Sequence, residues 1–538
     1  MAGLAAAFGS GAMTNTIAEM EEADAFIVIG SNTTAAHPVL ATFVKRAVTL
    51  KGARLIVCDP RRIPLVDHAD LWLRQRPGTD IALINAMMHV IVAEGLAKED
   101  FIARRCENYP ALKDVVAAYT PEMAAGITGV AAADIVAAAR LYAGAGAAMI
   151  LYTMGITQHS HGTDNVKSLA NLAMLTGQIG RPSTGVNPLR GQNNVQGACD
   201  MGGLPNVFPG YAAVTDDKAR GRLEALWQAG LSATPGLTLT EIIPAVAQGR
   251  IKGLFILGEN PVVSDPDSHH VAGALKNLEF LVVQDIFLTE TAALADVVLP
   301  AACFAEKQGT FTNTERRVQR VRQAVAPPGQ ARSDWQILTD LANRMGLGWQ
   351  YDSAEAVFNE IVAATPGYAG ISYPRLEKGS LQWPCPTPDH PGTVFLHKDR
   401  FTRGLGHFFA IHHQDPKEMP DRDYPFVLTT GRNLYQYHTR TMTGRSAGVD
   451  DLAPRAEVEI NPADAAALDL APGDLVRLTS RRGRIDVPAR ITETVAPGVV
   501  FMPFHYAAAA ANVLTHAALD PVAKIPELKV CAVRVEKG

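Results

Sequence analysis

The stretch AFIVIGSN at residues 25–32 is an apolar run that ends in a glycine and two small polar residues. The stretch RLIVCDPRR at residues 54–62 repeats this pattern, with Asp59 directly after the run. A third run, AMILY at Ala148–Tyr152, ends shortly before Gly155. Short continuous apolar runs separated by helical patterns are typical of buried parallel strands. The sequence therefore predicts an α/β fold for the first part of the chain.

Two helical patterns accompany these runs. Residues 81–93 carry apolar side chains at helical spacing and follow Thr79 and Asp80, which are suited to cap a helix. Residues 166–176 form a second pattern, which stops at Gly177.

The same strand-and-turn pattern returns later. GLFIL at Gly253–Leu257 ends at Gly258, FLVV at residues 280–283 ends at Gln284 and Asp285, and ADVVL at residues 295–299 ends at a proline. Two such regions predict two related, nucleotide-sized pockets.

The pattern changes near residue 421. Residues 476–479, 485–491 and 499–502 indicate strands separated by Pro-Gly and Ser-Arg-Arg-Gly turns, which favours a C-terminal β-barrel. We predict α/β domains over residues 1–190 and 191–350, a loop-rich connection over 351–420, and a barrel over 421–538.

Composition limits the function. The 538 residues contain 49 basic and 54 acidic side chains, and a net charge of −5 argues against a broad nucleic-acid-binding surface. The six cysteines form no CxxC element, so no local zinc or iron–sulfur site is expected. No membrane span or signal peptide is evident, and Gly9-Ser10-Gly11 precedes the first clear strand, so it is not an NAD fingerprint.

Polar residues follow the predicted strands, where open α/β sheets bind ligands. They are Gly30, Ser31, Asn32, Asp59, Gly78, Thr79 and Asp80. Each of these residue types also serves in ordinary turns and caps, so both interpretations stay open at this point.

The most polar segment is NPLRGQNNVQGACD at residues 187–200. Its amides and glycines favour neither a helix nor a strand, so we expect a loop through a polar site. Arg190 is suited to bind a small carboxylate with its two-pronged guanidinium group. Pairing of Arg190 with a structural aspartate is the alternative.

Several long motifs resemble the formate dehydrogenase catalytic subunits of the molybdopterin oxidoreductase family. They are MGITQHSHGTDNV at 154–166, NLAMLTGQIGRPSTGVNP at 171–188, the segment 187–211, GTFTNTERRVQ at 309–319, HTRTMTGRS at 438–446 and ALDPVAKIPELKVCAVRVE at 518–536. The resemblance runs through essentially the whole chain in order.

The resemblance implies a cofactor of two molybdopterin guanine dinucleotides that hold molybdenum or tungsten. It implies that two α/β domains each bind one nucleotide and that the barrel covers both pterins. The implied contacts are Gly30, Asn32, Cys58, Asp59, Gly78 and Asp80 at one nucleotide, and Gly258, Asn260, Asp285 and Thr291 at the other. Further implied contacts are Gly155, Gln158 and Gln192, with Arg432, Tyr437, Asn512 and Lys524 from the barrel. Arg190 is similar to the arginine that orients formate.

Members of this family carry an N-terminal iron–sulfur domain with a 4Fe-4S cluster, then a Cys or selenocysteine metal ligand followed by a histidine. Met1 falls just after that ligand, so we expect this chain to be a fragment that is inactive alone. An in-frame UGA codon for selenocysteine would explain the start, and a wrongly assigned start or a truncated contig is the alternative.

The resemblance implies formate oxidation to carbon dioxide, with electrons passing to iron–sulfur or NAD-reducing flavin subunits. The alternatives are another molybdopterin oxidoreductase, such as a nitrate reductase, and a non-catalytic scaffold with the same fold. We expect a cytoplasmic location, and a periplasmic one is the alternative because an export signal would precede Met1.

Overall fold

The computed structural model describes residues 1–538, which form two compact units. Unit 1 comprises Met1–Gly191, Val263–His269 and Phe395–Gly538. Unit 2 comprises Gln192–Val262 and His270–Val394. The first α/β region and the C-terminal barrel thus belong to the same unit.

Helices are numbered in chain order. They are α1 (Ala2–Phe8), α2 (Thr33–Ala36), α3 (Pro38–Lys51), α4 (Asp80–Ala93), α5 (Glu99–Arg105), α6 (Tyr109–Val116), α7 (Pro121–Thr128), α8 (Ala132–Gly144), α9 (Met154–Thr157), α10 (Gly162–Leu175), α11 (Val195–Asp200), α12 (Asp217–Trp227), α13 (Leu239–Ala247), α14 (Pro261–Ser264), α15 (Ser268–Lys276), α16 (Asp334–Arg344), α17 (Ala354–Ala364), α18 (Tyr373–Lys378), α19 (Ala447–Asp450) and α20 (Pro462–Ala467). No single helix is long and apolar enough to cross a membrane; α7 and α8 meet that test only as a pair bent by 114°.

Strands are numbered in the same way. They are β1 (Ala25–Ile29), β2 (Arg54–Cys58), β3 (Leu71–Leu73), β4 (Cys106–Glu107), β5 (Ala148–Tyr152), β6 (Gly185–Pro188), β7 (Val207–Phe208), β8 (Ala212–Ala213), β9 (Gly253–Leu257), β10 (Phe280–Asp285), β11 (Val297–Pro300), β12 (Gly309–Thr312), β13 (Arg317–Val321), β14 (Leu381–Gln382), β15 (Gly406–His407), β16 (Phe426–Gly431), β17 (Val458–Ile460), β18 (Leu475–Thr479), β19 (Arg484–Ile491), β20 (Val499–Pro503) and β21 (Cys531–Lys537).

Unit 1 is built on a five-stranded parallel sheet in the order β3-β2-β1-β5-β6. Every residue of β1 and β5 is buried, because apolar cores lie on both faces of the sheet. Burial on both faces explains why these strands are continuous apolar runs instead of alternating ones. The predicted α/β fold is confirmed.

The C-terminal part of unit 1 contains a closed barrel in the order β16-β20-β17-β19-β18-β21. Its interior is an apolar core of its own, filled by valine, leucine and isoleucine side chains. The predicted C-terminal barrel is therefore confirmed, and its closure leaves no unpaired sheet edge in that region.

Unit 2 contains a three-stranded parallel sheet in the order β11-β10-β9 and an antiparallel sheet in the order β12-β13-β14. The region predicted as a loop-rich connection contains the helices α17 and α18. Ser353 caps α17 by accepting a hydrogen bond from the Ala356 amide. The aromatic residues predicted to lie in loops, such as Tyr368 and Tyr373, are instead buried in the local core.

Two predicted boundaries differ from the structure. Helix α10 begins at Gly162 rather than Val166, since the Asp520 carboxylate accepts hydrogen bonds from the Thr163 amide (2.8 Å) and hydroxyl (2.7 Å). Those bonds satisfy N–H groups that a helix start leaves without partners. The segment predicted as a loop ends in α11, which is stabilised by a 2.8 Å bond from Gln196 to Asp200 one turn later.

A second carboxylate from the chain end binds the same loop. Glu527 is fully buried and accepts hydrogen bonds from the Ser160 amide (2.8 Å), the Ser160 hydroxyl (2.7 Å) and the Lys417 amide (2.9 Å). Burial disfavours the charged form, but bonds from His516, Ser160 and Lys417 outweigh it and lower the pKa of Glu527 to about 2. Two carboxylates thus fix the segment between β5 and α10.

This pKa makes stability depend on pH. Because the pKa of Glu527 is lower in the folded chain, its contribution is complete above about pH 4.5 and is lost as the pH falls towards about 2. We expect Glu527→Gln to lower the free energy of unfolding by about 2 kcal/mol at pH 7, allowing for screening. The difference in free energy of unfolding between variant and wild type should disappear as the pH falls towards about 2. Urea unfolding between pH 2.5 and 7 measures this, with the exposed Glu122→Gln as control. A free-energy difference that does not change with pH would contradict the lowered pKa of Glu527.

Candidate nucleotide-binding site

The backbone passes very close to itself where β1 and β5 end. The Gly30 carbonyl accepts hydrogen bonds from the Gly155 amide (3.1 Å) and the Thr153 hydroxyl (2.7 Å), and the Gly30 amide donates to Cys58 (3.0 Å). Gly30 has φ +56°, and a Cβ atom there would lie 2.7 Å from the Gly155 carbonyl carbon. Only glycine fits this position, and Asn32 follows it as the cap of α2.

Two buried carboxylates lie at the same edge of the sheet. Asp59 follows β2 and accepts a hydrogen bond from the Arg61 amide (2.9 Å), and burial raises the pKa of Asp59 to about 6. Asp80 begins α4 and accepts a hydrogen bond from the Gln75 side chain (3.0 Å); burial raises the pKa of Asp80 as well. Such groups cost free energy in the unliganded chain and are suited to accept hydrogen bonds from a nucleotide.

Polar atoms without protein partners surround Asp80. His159 Nε2 donates to the Gly155 carbonyl (2.9 Å), which leaves the buried His159 Nδ1 without a partner. Both ring nitrogens of His161 and the Gln75 Oε1 atom also lack partners within the chain. Buried polar atoms are normally hydrogen-bonded, so this concentration indicates a site for a polar ligand. Burial lowers the pKa of each histidine to about 4, and both are therefore neutral at pH 7.

Arg190 lies at the end of β6, in the polar segment. Its carbonyl is bonded to His37 Nε2 at 2.6 Å, and the carbonyl of the next residue, Gly191, accepts a hydrogen bond from Arg432 at 3.3 Å. Two side chains from distant parts of the sequence thus fix the backbone that carries the Arg190 guanidinium group.

Basic and neutral side chains cluster around Arg432. The Lys529 amine donates to the Thr430 carbonyl (2.6 Å), and burial, with repulsion from Arg432, lowers the pKa of Lys529 to about 8. Burial and the Arg432 charge lower the pKa of His438 to about 4. Burial, as the largest cause, also lowers the pKa of His505 to about 4. The cluster therefore carries positive charge and is suited to phosphate.

Unit 2 repeats the strand-end arrangement in its own sheet. Gly258 follows β9 with φ +64°, and Asp285 ends β10, where its carboxylate accepts a hydrogen bond from the Ile286 amide (2.7 Å). The buried Asn260 accepts from the Thr291 hydroxyl (2.7 Å) and donates to Glu290 (2.7 Å). All four predicted residues thus lie at one edge of this sheet.

Comparison with known proteins identifies the family. A model described as "Molybdopterin oxidoreductase" matches residues 3–344, and one described as "Molydopterin dinucleotide binding domain" matches residues 426–532. The chain belongs to the molybdopterin oxidoreductase family.

Two curated relatives and one solved structure show the degree of similarity. The F420-dependent formate dehydrogenase subunit alpha of Methanocaldococcus jannaschii is 54% identical over 99% of this chain and 80% of its own. Formate dehydrogenase H of Escherichia coli is 40% identical over 100% of this chain and 76% of its own. Acetylene hydratase from Pelobacter acetylenicus has the same fold, with a TM-score of 0.80 and 21% identity, over 100% of this chain and 80% of its own.

The family assigns a molybdopterin dinucleotide cofactor, and the residues fit its nucleotide part. The glycine at position 30 lets β1 end in direct backbone contact with Gly155, so no side chain stands between the two strand ends. The partnerless atoms of His161 and Gln75 lie beside Asp80. The cationic cluster around Arg432 supplies charge of the sign that phosphate groups require. No three His, Cys, Asp or Glu side chains are placed to hold a metal ion by themselves.

The other predicted residues lie in varied surroundings. Gly78 has φ +83° beside Pro416, and the Gln158 carbonyl accepts from the Leu528 amide (3.1 Å). The amide group of Asn512 donates to two backbone carbonyls at 2.9 Å, and this bonding is that of a structural tie. Four predicted residues remain. Burial raises the pKa of Cys58, the Tyr437 amide donates to the Thr443 hydroxyl, and Lys524 has φ +56°. Gln192 lies in unit 2, where its carbonyl accepts from the Val195 amide.

Sequence reasoning did not single out Gln75, His37, His159, His161 or Lys529. The two histidines stand in the quoted QHSHGTD motif, which was the available signal. Lys529 stands in the quoted motif at 518–536, which was likewise a signal. His37 and Gln75 stand in no quoted motif: the partner of His37 is the carbonyl of Arg190, 153 positions away, and Gln75 bonds Asp80 in the turn before α4.

The close contact between Gly30 and Gly155 predicts that adding one methyl group, in Gly30→Ala, lowers the free energy of unfolding strongly. Gly52 also has a left-handed backbone (φ +75°), but a Cβ atom there would meet nothing within 4 Å. We expect Gly52→Ala to cost about 1 kcal/mol and Gly30→Ala about 2–4 kcal/mol, as the free energy of unfolding. Urea unfolding of both variants measures the difference, and equal costs would show that the contact with Gly155 relaxes easily.

The raised pKa of Asp59 predicts that its carboxylate lowers the stability of the unliganded chain and strengthens binding of the ligand. The contribution of the Asp59 carboxyl group to the free energy of unfolding is favourable below about pH 3.8 and is lost as the pH rises through about 6. We expect Asp59→Asn to stabilise the unliganded chain by about 1–3 kcal/mol at pH 8 and by nothing at pH 3.5. The same substitution should weaken retention of the dinucleotide in the loaded enzyme. Thermal unfolding across this pH range tests the claim, and a destabilised variant at pH 8 would refute it.

Proposed function

We propose that this chain is the major part of a formate dehydrogenase catalytic subunit, which oxidises formate to carbon dioxide, one proton and two electrons. The observation that supports this most is the 54% identity, over nearly the whole chain, to a relative named as a formate dehydrogenase subunit. The position of Arg190, in a segment whose backbone carbonyls are hydrogen-bonded to His37 and Arg432, agrees with a carboxylate substrate.

Arg190 is the residue proposed to bind formate. A guanidinium group donates two parallel hydrogen bonds to a carboxylate, which fixes the direction of the formate C–H bond. His37 and Arg432 hold the two backbone carbonyls that follow this side chain, those of Arg190 and Gly191, so little backbone freedom has to be lost when formate binds.

We propose that the cofactor is a pair of molybdopterin guanine dinucleotides that bind molybdenum or tungsten. Asp59 and Asp80 would accept hydrogen bonds from one nucleotide, and Asn260 and Asp285 would serve the second. Lys529 and Arg432 would neutralise phosphate or pterin oxygens. The bound metal centre supplies the two-electron redox chemistry, while the protein contributes binding, orientation and electrostatics.

We further propose that the complete subunit carries an N-terminal segment with a 4Fe-4S cluster and a Cys or selenocysteine metal ligand, and passes electrons to iron–sulfur partners. About a fifth of the first relative's own length, and about a quarter of the second's, lies outside the matched region, which leaves room for such a segment. The 538-residue chain alone would then reduce no dye with formate.

The first test is the DNA upstream of the Met1 codon. An in-frame TGA or Cys codon followed by a His codon, with cysteine clusters before it, would support a fragment of a formate dehydrogenase. A genuine promoter and ribosome site at Met1 with no such pair upstream would overturn the catalytic proposal and favour a scaffold protein.

In the extended enzyme, we expect Arg190→Lys to lower kcat/KM for formate by about 10²–10³-fold, since lysine cannot make the two-point contact. Molybdenum or tungsten content, measured by mass spectrometry, should be unchanged. Arg46→Lys, at an exposed position, is the matched control. Normal formate kinetics for the Arg190 variant would remove this residue from the proposed role.

A further inference from the structure

A cavity of about 490 Å³ lies entirely within unit 2 and shares no lining residue with the candidate nucleotide-binding sites. Its wall is formed by the turn Pro209–Tyr211, the start of α12, residues 365–368 after α17, and residues 383–384. Small-molecule sites in proteins have volumes of about 300–1,000 Å³, so this cavity is large enough to bind a ligand.

Three aromatic side chains in the wall are held by one buried carboxylate. Asp200 accepts hydrogen bonds from the Tyr368 hydroxyl (2.6 Å) and the Tyr211 hydroxyl (2.8 Å). It accepts a third from Trp383 Nε1 (2.7 Å), and the centres of the Tyr211 and Trp383 rings lie 6.3 Å apart. Because Asp200 engages the polar end of each side chain, the rings are fixed in place and offer mainly apolar surface to the cavity.

The charged groups of the wall differ in how they are paired. Asp200 is bonded as described, and Asp216 caps α12 by accepting hydrogen bonds from two of its first amides (3.0 and 3.2 Å). Arg222 donates to the last two carbonyls of α17 and pairs with no carboxylate, and the Lys218 amine has no partner in the chain. Lys218 and Arg222 lie four positions apart on α12 and are exposed, so both cations are available at the edge of the cavity.

One buried polar atom of the wall also lacks a partner. Thr365 is 2% exposed, and its Oγ1 atom makes no hydrogen bond within the chain. Buried hydroxyl groups are normally hydrogen-bonded. The wall thus contains one donor and two cationic groups that the chain itself does not use.

We propose that this cavity binds a small aromatic anion, a planar ring system that carries a carboxylate or phosphate group. The rings of Tyr211 and Trp383 would contact the planar face of the ligand, as aromatic pairs do in protein cores. Lys218 and Arg222 would bind its anionic group at the exposed edge of the cavity. This ligand is neither formate nor the dinucleotide, and the proposal does not depend on formate oxidation.

Calorimetric titration tests the proposal without an activity measurement. The 538-residue chain would be titrated with 2-naphthoate, and 2-naphthamide has the same rings without the charge. Ala219→Trp, at a half-buried lining position on α12, fills the cavity without altering the bonds to Asp200. A double variant, Lys218→Gln with Arg222→Gln, removes both cations. Circular dichroism would check that each variant is folded.

The matched control is a second double variant, Lys276→Gln with Arg344→Gln. It removes the same charge from exposed positions of unit 2 that do not line the cavity. The titration with 2-naphthoate would also be repeated with the chain extended by its upstream coding sequence.

We expect 2-naphthoate to bind with a Kd of about 0.1–1 mM, and 2-naphthamide to bind at least about tenfold more weakly. The Lys218/Arg222 variant should also bind 2-naphthoate at least about tenfold more weakly, Ala219→Trp should not bind it, and the control should bind normally. Absence of saturable binding would overturn the proposal, as would equal affinity for the amide. Binding that persists in Ala219→Trp would place the ligand elsewhere, and loss of binding in the extended chain would show that the cavity is covered in the complete subunit; each would refute the proposed site.

Discussion

The bonds to the Gly30 carbonyl are the constraint on which the candidate site depends. Parallel strands bring their carboxyl ends to one edge, and there the chain must turn away within a few residues. The approach of Gly155 to Gly30 allows this turn without a side chain between the two backbones. The space that remains beside the strand ends is lined by backbone and short polar groups, which is the chemistry that nucleotides bind.

The groups around this edge are costly to bury. Asp59 and Asp80 have raised pKa values, and Lys529 has a lowered one, because burial disfavours their charged forms. Two other carboxylates have a different role: Glu527 and Asp520 each accept several hydrogen bonds and fix the loop that carries His159 and His161. The chain thus uses fully bonded carboxylates to hold in place a site whose own polar atoms lack protein partners.

The two parallel sheets are built from the same kind of strand, a continuous apolar run, but these strands are buried to different degrees. In unit 1, helices before and after the strands cover both faces, and β1 is buried throughout. In unit 2, the apolar core lies on one face of the sheet, and β9 alternates between half-buried and exposed residues. The composition of β9 is that of a doubly covered strand, so its exposure reflects what packs on the sheet and not what the strand encodes.

The sequence by itself determined the strands, the fold class and the family. Apolar runs such as Ala25–Ile29 specify buried parallel strands locally, and the long motifs carry the resemblance. Only the tertiary structure decided that Asp520 extends α10, that His37 holds the Arg190 backbone, and that α11 forms within the expected loop. These features depend on contacts between residues more than 150 positions apart, or on burial of polar groups, and neither leaves a periodic signal in the chain.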